Sequence, residues 1–116
     1  MKYRAVAQVD LNKIRQNYNY IKSLTDAKIM AVIKADAYGH GAERIGKELE
    51  LLGCENFAVA CLSEADCLRK SGIKSNILIL ASTDASRRED IISGDFIQAT
   101  DSLEYTKQLA GNGNIR

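Results

Sequence analysis

Apolar positions along the chain fall into two alternating rhythms. Continuous runs rich in Ile, Val, Leu and Ala occupy Ile29–Ile33, Phe57–Cys61, Ile77–Ala81 and Phe96–Ala99. Runs this short and unbroken predict strands buried on both faces, as in parallel sheets. Between them the apolar residues step at helical intervals. Leu11, Ile14, Tyr18 and Ile21 are spaced 3, 4 and 3 apart, and Ile45, Leu49 and Leu52 repeat the rhythm. The punctuation agrees. Asp10 stands where it can cap the first helix, and Ser63 with Asp66 and Asp101 with Glu104 have capping-box spacing. Gly53, Gly72, Gly94 and Gly111 each follow a helical stretch.

The predicted order is a short strand over Val6–Val9, a helix, and then about four βα units. Strands alternating with helices predict an α/β fold with a parallel sheet. Two architectures share that pattern, an open doubly wound sheet and a (β/α)8 barrel. A whole barrel takes about 250 residues, against 116 in this chain. The expectation is therefore either a small open sheet or the first half of a barrel. The stretch Gly111–Arg116 reads as a loop leading towards a further strand.

Composition narrows the function classes. Sixteen Lys plus Arg against fifteen Asp plus Glu give a net charge of +1, so no overall field favours nucleic acid or an anionic membrane. No apolar run approaches the roughly 20 residues of a membrane span, and MKYRAVAQVDLNK lacks the apolar core of a signal peptide. The expectation is a soluble, cytoplasmic protein. Cys54, Cys61 and Cys67 form no CxxC pair and the chain has one His. Reduced thiols are expected, and no metal site.

The densest chemistry lies in Ala31-Val32-Ile33-Lys34-Ala35-Asp36-Ala37-Tyr38-Gly39-His40-Gly41. This segment runs out of a predicted strand into a loop with two glycines. Lys34 closes the apolar run. An ammonium is costly to bury, so burial there would favour the neutral, nucleophilic amine that reacts with a carbonyl cofactor. At the C-terminal end of a barrel strand it would point at the mouth where active sites form. Neither GxGxxG nor GxxxxGK[ST] is present.

As a whole string, AVIKADAYGHG closely resembles the pyridoxal-phosphate attachment signature of the alanine racemases. AQVDLNKIRQNYNYIK is similar to that family's opening strand and helix, and NFAVACLSEADCLRKSGIKSNILILAS to its next two βα units. The resemblance covers nearly all of the chain and about the first third of a family member, in which a TIM-type barrel precedes a β-rich domain. It implies that residues 1–116 are the N-terminal part of that barrel and that the Val6–Val9 strand packs outside it. It implies pyridoxal 5'-phosphate held on Lys34 as a Schiff base, with Lys34 also one of two catalytic bases. Tyr38 would contact the cofactor phosphate and Leu80 would line the cofactor pocket. Asp36 and His40 are given no role beyond shaping the loop. The sequence Ala81-Ser82-Thr83 departs from the GYT that many members carry at the pocket rim. The implied reaction interconverts L- and D-alanine by proton transfer on two faces, the second base being a tyrosine from the partner of a cytoplasmic homodimer. The D-alanine would serve cell-wall synthesis or be catabolised. The isolated 116 residues are expected to be inactive.

Two other readings are compatible with these residues. One is another pyridoxal-phosphate barrel: a serine or broad-specificity amino-acid racemase, or a non-catalytic cofactor carrier. The other is a non-enzymatic α/β module in which Lys34 is a surface charge.

Overall fold

The computed structural model describes residues 4–111 and 115–116. Four strands, β1 (Met30–Val32), β2 (Asn56–Val59), β3 (Asn76–Ile79) and β4 (Ile97–Gln98), form one sheet in the order β1-β2-β3-β4, every neighbouring pair parallel. Each overlaps an apolar run of the sequence. Helix α1 (Leu11–Ser23) precedes β1, and α2 (Lys34–Tyr38), a single left-handed turn, follows it directly. Helices α3 (Ala42–Leu51) and α4 (Leu62–Lys70) precede β2 and β3. A 3₁₀ turn at Ala85–Arg87 runs into α5 (Arg88–Ser93), and α6 (Leu103–Ala110) follows β4.

The strand order decides between the two architectures. A doubly wound sheet reverses its order at a switch point. Here the order never reverses, and right-handed crossovers then place the helices on one face. The core lies between that face and the helices. Ile33, Phe57, Val59, Ile77 and Ile79 meet Tyr18, Ile45, Leu49, Leu62, Leu68, Ile91 and Leu109. The fold is α/β, an incomplete (β/α)8 barrel, and its 50 × 44 × 24 Å extent has the thickness of one sheet and one helix layer.

That arrangement corrects the expectation of strands covered on both sides for β1 and β3, whereas Phe57, Ala58 and Val59 of β2 are all buried. Met30 and Val32, on the face without helices, are 43% and 44% exposed, and Leu78 is half-buried. The strand over Val6–Val9 is not formed. Those residues pair with no strand, and Val6 is exposed. An extended segment without a neighbour has no ladder to join. At the other end, Arg116 O accepts the Gln98 N–H (3.0 Å) on the outer edge of β4, where a further strand would lie. Residues 112–114 of the predicted terminal loop lie outside the described residues.

The helix signals hold in part. Asp10 caps α1, its Oδ1 accepting the Asn12 and Lys13 N–H groups at 2.9 and 3.4 Å, while Ile21 ends the stripe exposed. Neither predicted capping box forms. Cys61 stands at the N-cap of α4, which leaves Ser63 inside the helix, and Ser102 rather than Asp101 caps α6 by accepting the Tyr105 N–H. Gly94 ends α5 with φ −80, and the left-handed residue is Asp95 (φ 52). Gly94 is required for space, because a Cβ there would lie 2.1 Å from the Phe96 ring.

Two charged side chains bind the connections to the core. Arg69 donates to the carbonyls of Gly94, Ile73 and Ser75 and lies over the Phe96 ring. Glu50 Oε2 accepts from the Lys74 N–H, the Ser75 N–H and the Ser75 hydroxyl. Burial alone would raise the Glu50 carboxyl, but these bonds and the Arg69 charge outweigh it and hold the group below the usual carboxylate range.

Candidate functional site

The end of β1 is where the chain departs furthest from regular structure. Ile33 still donates to Ala58 O (2.9 Å) in the sheet ladder, but its φ −122, ψ 28 leaves the strand conformation. After Lys34 come four consecutive non-glycine residues with φ between 51 and 55, Ala35, Asp36, Ala37 and Tyr38. A left-handed residue with a Cβ costs roughly 1–2 kcal/mol, so the surrounding structure must hold this turn in place.

It does so with several bonds. Ala37 N donates to Ile33 O, and Gly41 N to Asp36 O. Asp36 Oδ1 accepts the Ala42 N–H (2.8 Å) at the start of α3. His40 Nδ1 lies 2.9 Å from Ala37 O, and the Ala37 side chain is buried. Gly39 and Gly41 complete the exit at φ 87 and 90, where a side chain would add strain. Glu64, from the first turn of α4, accepts the Ala35 N–H through Oε1 (2.9 Å) and the Ala60 N–H through Oε2 (2.7 Å).

Lys34 is half-buried, and its Nζ has no hydrogen bond or ion pair among the described residues. It is the second residue beyond β1, reached after Ile33 has left the strand conformation. Leu80, just past the end of β3, continues the parity of Asn76 and Leu78 and is 43% exposed. Its N–H still donates to Val59 O. Lys34 and Leu80 thus stand just past the C-terminal ends of β1 and β3. Tyr38, at the end of the left-handed turn, is 61% exposed.

The rim after β3 is pinned from below. Thr83 is buried, and its Oγ1 donates to Gln98 Oε1 (2.6 Å). Its N–H donates to the Tyr105 oxygen, which donates in turn to Thr83 O. Gln98 Nε2 reaches Ala81 O (2.8 Å). Beyond the rim, hydrogen bonds from Ser86 hold the Asp84 carboxyl below its usual range. Sequence reasoning missed this network, whose partners lie 15 to 22 residues apart. It also missed Glu64, for which a signal existed. Glu64 is the third residue of a helix that follows a strand, the position from which a glutamate reaches back to a free backbone N–H.

Lys34 thus offers a half-buried amine without an ion partner among the described residues, and Tyr38 an exposed phenol. Among the described residues, no group of three or more His, Cys, Asp or Glu gathers to hold a metal ion, and no helix is long and apolar enough to cross a membrane.

Comparison with known proteins gives four findings. The family described as alanine racemase, N-terminal domain, matches residues 9–114. Alanine racemase 1 of Caldanaerobacter subterraneus subsp. tengcongensis is 42% identical over 104 residues, which cover 88% of this chain and 27% of that protein. Among solved structures, the alanine racemase of Clostridium difficile superposes with a TM-score of 0.80 at 40% identity, over 85% of this chain and 27% of that one. A histidine racemase from Leuconostoc mesenteroides subsp. sake superposes with a TM-score of 0.79 at 31% identity, over 89% of this chain and 29% of that one. The chain spans about a quarter of the length of these relatives.

Proposed function

Since the chain belongs to the alanine racemase N-terminal domain family, we propose that it forms the cofactor-lysine part of a pyridoxal 5'-phosphate-dependent enzyme interconverting L- and D-alanine. The observation that carries this reading is the place of Lys34. It stands where β1 leaves the sheet, immediately before a left-handed turn held by hydrogen bonds that Glu64 and Asp36 accept. Precise placement of one amine is a sufficient use for such a turn.

In this reading each residue has a separate task. Lys34 holds the cofactor through its Nζ and, as a neutral amine, takes or returns a proton on one face of the substrate α-carbon. The Tyr38 hydroxyl donates to the phosphate, and Leu80 packs against the ring and keeps water from it. When bound, pyridoxal phosphate draws electrons from the α-carbon and so acidifies its proton. A second base on the opposite face favours inversion, because a single base tends to return the proton to the side it left. A tyrosine of a partner subunit fills that role by the family resemblance, so the active form is a homodimer. Placement in the cytoplasm belongs to the same proposal.

The test is covalent. After incubation with pyridoxal 5'-phosphate and borohydride, peptide mass spectrometry is expected to find the label concentrated on Lys34. Labelling spread evenly over the exposed lysines would remove the basis of the proposal. The likeness to a histidine racemase favours one second reading, a racemase acting on another amino acid. Rates across a panel of amino acids, measured on the protein at its relatives' full length, separate the two.

A further inference from the structure

In a regular parallel ladder, the Ile33 N–H to Ala58 O bond would be followed two residues on by Ala35 N–H to Ala60 O. That bond is not made. Ala60 O accepts the Ala81 N–H, two residues past β3 (3.0 Å). The Ala35 N–H goes instead to Glu64 Oε1, and the other oxygen of the same carboxylate takes the Ala60 N–H. One side chain is thus inserted between β1 and β2 at the level of Lys34 and replaces the ladder there. Its two bonds lie on either side of the rim, one on the first left-handed residue (Ala35, φ 51, ψ 50) and one on the end of β2. Both Glu64 oxygens bond to backbone, and Lys34 has no ion pair with them.

We propose that Glu64 is the positioning residue for Lys34. By accepting the Ala35 N–H it fixes the left-handed turn and with it the Lys34 amine, without itself neutralising that amine. A carboxylate suits the task because it accepts two N–H groups in different directions, whereas an amide at this position would turn a donor towards one of them. This assignment rests on the reading of Lys34 as the cofactor lysine.

The experiment compares the preference of pyridoxal 5'-phosphate, trapped with borohydride, for Lys34 over the exposed Lys107 of α6. Glu64→Ala is expected to lower that preference about tenfold, the equivalent of one charge-assisted hydrogen bond. The isosteric Glu64→Gln, which keeps the packing, should lower it by less. Adding Ala35→Gly to either variant should restore most of the preference, because glycine takes the left-handed conformation without the Cβ penalty. If Glu64 merely tied α4 to β2, relieving strain at residue 35 would change nothing. Absence of rescue, or an unchanged preference in both Glu64 variants, overturns the assignment while leaving the cofactor reading intact. No preference for Lys34 in the unaltered chain overturns both.

Discussion

At the scale of single residues, the groups that matter most are polar ones with unusual partners. Glu50 is the clearest. Its folded carboxyl titrates below the usual range because three hydrogen bonds from Lys74 and Ser75, helped by Arg69, outweigh its burial. A depressed carboxyl stabilises the fold fully above its unfolded value, near 4.3, and the stabilisation fades as pH falls below that through the folded value. Glu50→Gln should therefore unfold at lower urea concentration than the unaltered chain at pH 7, by about 1–2 kcal/mol. The difference should shrink on acidification through pH 4, and a difference independent of pH would count against this account. Tyr18 shifts the other way. Burial raises its phenol, and the Cys54 thiol beside it adds to the effect.

At the scale of elements, the connections carry more information than the strands they join. Each strand has two to four residues, too few to fix a loop by ladder bonds alone, so side chains do it. Arg88 donates to the Leu109 and Ala110 carbonyls at the end of α6, where helix carbonyls have no partner of their own. Tyr105, from the first turn of α6, both accepts from and donates to the Thr83 backbone. Tyr105→Phe deletes both bonds and is expected to destabilise the chain by about 1–3 kcal/mol. The Thr83 amide should then exchange with solvent faster, while amides in β1 keep their order of protection. Unchanged exchange at Thr83 would mean that the rim is held by Gln98 alone.

For the whole molecule, the governing fact is that no helix covers one face of the sheet. Met30, Val32 and Leu80 are exposed apolar residues at or just past the ends of its strands, and exposed apolar surface drives association in water. Sedimentation velocity of the 116-residue chain is expected to show a coefficient that rises with concentration. Val32→Lys, which charges the open face without touching the core, should reduce the rise. A concentration-independent coefficient for the unaltered chain would mean that the exposed face is tolerated as it stands.

Apart from the strand expected over Val6–Val9, the order of elements, the four apolar runs and the Asp10 cap were legible from the sequence, because each depends on residues within a few positions of one another. So was the family, through the resemblance of the segment around Lys34. The failures share one cause. Whether an apolar run is covered on one face or two depends on where the helices land, and that is a consequence of strand order. The capping residues of α4 and α6 differed from expectation because the helix start is set by packing as well as by side-chain chemistry. Nothing local predicts four left-handed residues after Lys34 in a stretch of Ala, Asp, Ala and Tyr. That conformation is held by bonds within the turn and to α3, and by Glu64, 29 residues away from Ala35, which accepts the Ala35 N–H. Local propensity wrote the list of elements. Their handedness, their open face and the placing of the amine came from contacts that form only once the chain has folded.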